Sequence, residues 1–85
     1  MIISDGEFLD LLRIALHDGD VNTLTVLVPS ISVSEANYYI AAWNNIYLNI
    51  LNCVRNGGNI TVLKGEEYML LNYLLEEARI SSLHR

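Results

Sequence analysis

The sequence predicts a small all-α domain, a bundle of three to four helices around one long central helix. Two capping boxes, Ser4-Asp5-Gly6-Glu7 and Ser32-Val33-Ser34-Glu35, each precede apolar residues at helical spacing. Between the second box and Asn56, the stripe Ala36, Tyr39, Ile40, Trp43, Ile46, Tyr47, Ile50, Leu51 and Val54 keeps one helical phase. Residues 1–85 are read as a single domain, and 52% of them are apolar. Leu, Ile, Val and Phe contribute 30 residues, which excludes a disordered chain. A fold of this mass exposes roughly 5,000 Å² and buries about 64% of its unfolded surface. So thin a core needs fewer aliphatic residues than this chain carries. The surplus predicts an apolar surface covered by a second copy or by a partner.

The first helix follows from its box. The Ser4 hydroxyl can accept from the third helical N–H, while Glu7 reaches back to the cap N–H. Phe8, Leu11, Leu12 and Ala15 then recur on one face, widened by Leu9 and Leu16, with Asp10, Arg13 and His17 opposite. Asp18-Gly19-Asp20 ends the helix, glycine supplying the left-handed exit. Thr23 to Val28 has strand composition, yet Asp20 is a good cap and Val21, Leu24, Leu27 and Val28 fit one helical face. A short helix is expected there, ended by Pro29. The central helix is expected from about residue 33 to 56, stopped by Gly57-Gly58-Asn59. Its face opposite the stripe carries Asn37, Asn44, Asn45, Asn49, Asn52 and Asn56. Ile60 to Gly65 reads as a connection of strand-like composition, and a short two-stranded pairing of residues 23–28 with 60–63 stays open. Glu66 and Glu67 are expected to open the last helix, where acids suit the positive end. Leu70, Leu71, Leu74, Leu75 and Ala78 make its main apolar face; Met69, Tyr73 and Ile80 make a second one. A helix apolar on two sides packs on two neighbours, or on one neighbour and a partner.

Two segments, Ala15 to Val28 and Ala41 to Val54, can be laid over each other in one register. Both start with small residues, place a turn-former next (Gly19 or Asn45) and close on an apolar pair (Leu27-Val28 or Cys53-Val54). This resembles the helix–turn–helix of ankyrin repeats, and Arg55-Asn56-Gly57-Gly58-Asn59-Ile60 is similar to the loop that ends such a repeat. The resemblance implies ankyrin-like helical pairs, with a turn at Asn45. The unbroken apolar stripe across Asn44-Asn45 supports one continuous helix instead, and a continuous helix is expected.

Charge and special residues narrow the function. Ten acids against five bases give −5, and the scattered bases form no patch, which argues against direct nucleic-acid binding. The single Cys53 excludes an internal disulfide. Met1 to Asp5 lacks a basic region and a long apolar stretch, so a cytoplasmic location is expected and the sequon at Asn59 is read as coincidence. The best membrane candidate, Tyr38 to Leu51, is too short and is interrupted by three asparagines. Asp18 to Pro29 fails as a calcium loop because its sixth and twelfth positions are Thr23 and Pro29. No His/Cys cluster suits zinc, and Gly57-Gly58 lacks the ending of a phosphate loop. His17 reads as a solvated helix-end histidine, His84 as a terminal residue, and Cys53 as a buried inert thiol. No catalytic, cofactor-binding or metal-ligating residue is assigned, and no cofactor is expected.

What remains is an interaction surface. Tyrosine beside uncharged polar groups matches interface composition, which selects Tyr38 with Asn45, Asn49 and Asn52. The second apolar side of the last helix adds Met69, Tyr73 and Ile80. The expected function is a non-enzymatic protein–protein interaction module, an inhibitor or adaptor of the size that viruses and mobile elements encode, and a homodimer. Two other classes are weighed. A nucleic-acid mimic would gather Asp5, Asp10, Asp18, Asp20, Glu66, Glu67, Glu76 and Glu77 on one face. A small enzyme would hold His17 or Cys53 in a concave pocket.

Overall fold

Capping chemistry sets where each helix begins and ends. The computed structural model describes residues 3–83, with side chains described through residue 80. It contains α1 (Asp5–Asp18), α2 (Val21–Leu27), α3 (Val33–Arg55) and α4 (Thr61–Leu83). Both predicted capping boxes form: Ser4 Oγ accepts from the Glu7 N–H at 3.1 Å, and Ser32 Oγ from the Glu35 N–H at 3.1 Å. Gly19 takes the left-handed conformation (φ 68°), and the N–H groups of Gly19 and Asp20 close the end of α1 onto the Leu16 and Ala15 carbonyls. Asp20 then caps α2, its carboxylate accepting from the Thr23 N–H at 3.1 Å and the Thr23 hydroxyl at 2.6 Å. Val21–Leu27 is therefore the short helix expected between Asp20 and Pro29.

α3 runs unbroken through Asn44 and Asn45, so the turn implied by the ankyrin resemblance does not form at Asn45. Gly57 (φ 75°) ends it, with the Gly58 N–H bonded to the Cys53 carbonyl.

Three expectations are corrected. Among the described residues there is no strand, so residues 23–28 and 60–63 do not pair. The last helix starts at Thr61, five residues before Glu66. Its reason is Asn59, whose side-chain oxygen accepts from the Thr61 N–H at 2.9 Å and the Thr61 hydroxyl at 2.5 Å, fixing the first turn. Finally, the lower end of the α3 stripe is not core, because Leu51 and Val54 are exposed.

α3 and α4 form a long antiparallel hairpin, each 23 residues and about 34 Å long. α1 lies against both helices, antiparallel to α4, with Asp5 paired to Arg79 and Arg13 to Glu67. α2 packs on α1 and α3. Leu12, Leu16, Leu24, Val28, Leu71 and Leu74 are fully buried around Trp43, which is 4% exposed. The molecule measures 47 × 25 × 17 Å, two helix layers thick. Its surface of 5705 Å² exceeds the roughly 5,000 Å² of a compact chain this size, as an elongated two-layer shape requires. The α1–α2 layer covers one side of the hairpin, and no described element covers the other.

Candidate partner-binding surface

Helical phase places the sequence-selected residues on that open side. On α3, Tyr38, Asn45, Asn49 and Asn52 follow spacings of seven, four and three, and all are exposed. On α4, Met69 (72% exposed), Tyr73 (48%) and Ile80 (47%) follow spacings of four and seven. Ring contacts tie the two helices at one end. Tyr38 meets Tyr39 edge-on at 5.5 Å, and Tyr39 meets Tyr73 at 5.8 Å. Hydrogen bonding with Tyr39, then with Glu77, pushes the Tyr73 phenol above its ordinary range. Ser30 Oγ reaches Glu77 at 3.4 Å, so the loop before α3 supports the same corner. Asn52 is not brought to it, since fourteen residues of helix put it about 21 Å from Tyr38.

One member was not selected from sequence. Val62, 74% exposed, lies seven residues before Met69 and extends the α4 stripe by two turns. The spacing of seven carries the signal, but the strand-like composition of Ile60 to Gly65 hides it. Glu66 and Glu76 fall between the apolar members of the stripe. Glu76 Oε1 pairs with Arg79 at 2.6 Å, whereas Glu66 makes no ion pair among the described residues.

A second feature lies on the α1 side. A cavity of about 420 Å³ is lined by Arg13, Ile14, His17 and Asp18 of α1, Trp43 and Tyr47 of α3, and Lys64 and Glu67 of α4. Glu67 joins its walls, 3.7 Å from Arg13 Nε and 3.6 Å from Lys64 Nζ. The His17 ring stands edge-on to Tyr47 at 5.0 Å. The indole N–H of Trp43 is buried and has no acceptor.

No protein-family model, curated protein or solved structure matches this chain. Its own geometry therefore carries the functional reading.

The other sequence-stated candidates separate in space. Cys53 does not line the cavity; its Sγ lies 3.5 Å from the Asn59 carbonyl oxygen and 2.7 Å from where a Gly58 Cβ would stand. Among the described residues no group of three His, Cys, Asp or Glu could hold a metal. Of the acids, Asp10 pairs with Arg13, Glu67 with Arg13 and Lys64, and Asp5 and Glu76 with Arg79. No described helix is long and apolar enough to cross a membrane. His84 lies outside the described residues.

Proposed function

We propose that this chain is a non-enzymatic interaction module that binds another protein through the open side of the α3–α4 hairpin. The observation that carries this reading is the exposed stripe Val62, Met69, Tyr73 and Ile80 on α4. Leaving apolar side chains in water forgoes about 1.5–3 kcal/mol for each that a partner could bury fully. Tyr38 and the asparagines beside the stripe supply the amphipathic rings and uncharged hydrogen-bonding groups that interfaces favour. The test is a photo-crosslinking residue placed at Met69, and separately at exposed Asn22 on α2, in the cell that makes the protein. A protein captured from position 69 and not from position 22 supports the proposal. Equal capture at both positions, or none at 69, removes it.

Ligand binding in the cavity is a second reading, favoured by a lining that sets the rings of Trp43 and Tyr47 beside the charged groups of Arg13, Lys64 and Glu67. Trp43 is the one tryptophan of the chain, so its emission reports on the cavity directly. Small-molecule fragments that shift this emission, and cease to in the exposed-mouth variant Ile14→Arg, would support the reading; no shift from any fragment would end it.

A further inference from the structure

We infer that the occupant of the α4 face is a basic amphipathic helix of a different protein, and not a second copy of this chain. The inference rests on the docking face proposed above and names its partner chemistry. Val62, Glu66, Met69, Tyr73, Glu76 and Ile80 follow spacings of four, three, four, three and four. That is the seam spacing by which one helix receives another along its length. Two of the six seam positions are carboxylates. Glu77 lies beside them on the same outer half of α4. The basic residues Lys64 and Arg79 lie on the flank facing α1, where they pair with Glu67 and with Asp5 and Glu76. Arg79 thus serves two carboxylates, and the outer half of the helix keeps a surplus of negative charge.

That pattern works against self-pairing. Two copies of α4 in antiparallel full overlap would set Val62 against Ile80, Met69 against Tyr73, and Glu66 against Glu76. Parallel overlap would set each glutamate against itself. Sliding the antiparallel pair by seven residues separates the glutamates, but then buries Glu66 against Met69 or Glu76 against Tyr73 and leaves only four seam positions engaged. The formal charge of −5 on each copy adds long-range repulsion. A partner helix with apolar residues facing Val62, Met69, Tyr73 and Ile80, and Lys or Arg facing Glu66 and Glu76, meets every position with its complement.

The test uses two synthetic 21-residue amphipathic peptides, alike except at the two positions that meet Glu66 and Glu76, which are Lys in one and Glu in the other. Binding to the full chain is measured by calorimetry, and the contact is located by amide chemical shifts. The Lys peptide is expected to bind about tenfold more tightly than the Glu peptide, with shifts on the outer face of α4. The exposed double variant Glu66→Lys with Glu76→Lys, its fold checked by circular dichroism, is expected to reverse the preference. Equal affinities, an unreversed preference, or no binding of either peptide would overturn the basic-helix assignment. Crosslinking at Met69 would survive that failure, so the docking face and its partner chemistry are judged separately. Sedimentation showing a dimer that dissociates in Met69→Lys would make a second copy the occupant and overturn the inference.

Discussion

Trp43 fills the centre of the core, yet its indole N–H finds no acceptor there. An unsatisfied buried donor costs about 1–3 kcal/mol, while deleting a large buried aromatic costs about 3–5 kcal/mol. The ring therefore contributes more than its nitrogen takes away. Trp43→Ala is expected to lower stability by about 3–5 kcal/mol in urea denaturation. Trp43→Phe keeps a ring and deletes the unpaired donor, so its loss should be clearly smaller; equal losses would show that the indole N–H is satisfied after all. Asp20 gives a pH test. The Thr23 hydroxyl, and then the Thr23 backbone N–H, hold its carboxyl below the ordinary carboxylate value. A group whose pKa is depressed on folding stabilises the fold above its unfolded pKa, and that contribution fades as pH falls through the folded one. Below about pH 4, Asp20→Asn should lose less stability than the parent does over the same pH range. Parallel stability curves for the two chains would refute the assignment of this acid dependence to Asp20.

At the scale of the helix, local chemistry was legible and mixed signals were not. α1 and α3 could be read because Ser4 with Glu7, and Ser32 with Glu35, specify a helix start within four residues. The start of α4 was missed because Ile60-Thr61-Val62-Leu63 has strand composition and Gly65 resembles a break. Asn59 overrides both by accepting from Thr61, and the helix then carries Gly65 in its second turn. Nothing lies within 4 Å of a Cβ built on Gly65. Gly65→Ala should therefore stabilise the protein by about 0.5–1 kcal/mol, read as a higher urea midpoint. The exposed pair Asn44→Ala with Asn45→Ala should be neutral or stabilising, since alanine is the better helix former. A loss of about 1–2 kcal/mol would instead indicate a left-handed turn at those positions.

Across the whole molecule, the open face could be foreseen, and of the cavity only His17, which the small-enzyme alternative places in a pocket. Tyr38, Met69, Tyr73 and Ile80 follow from helical phase alone, because each helix shows from its own sequence which side lacks a core. The cavity joins Arg13 and His17 to Trp43, Tyr47, Lys64 and Glu67, and exists only once three helices distant in sequence have packed. Periodicity within one helix carries no information about such a meeting. His17 shows the difference. It is exposed, as a polar-face histidine should be, yet it stands against Tyr47 at the cavity wall.

The hairpin outruns the layer that covers it. α1 ends at Asp18, and beyond Ile50 on α3 and before Leu71 on α4 no described residue is fully buried. Each long helix should therefore behave as one hydrogen-bonded rod with two lifetimes. Amide protons of α3 between residues 40 and 47, over the core, should exchange with solvent only when the whole chain unfolds. Those between 52 and 56 should exchange orders of magnitude faster through fraying of the tip alone. Uniform exchange along either helix would mean that the tip is bound into the same cooperative unit as Trp43. A graded profile would leave the Val62 end of the apolar stripe breathing while its middle at Tyr73 stays fixed, so that a docking helix would be gripped first at Tyr73 and would then quiet the tip as it zips toward Val62.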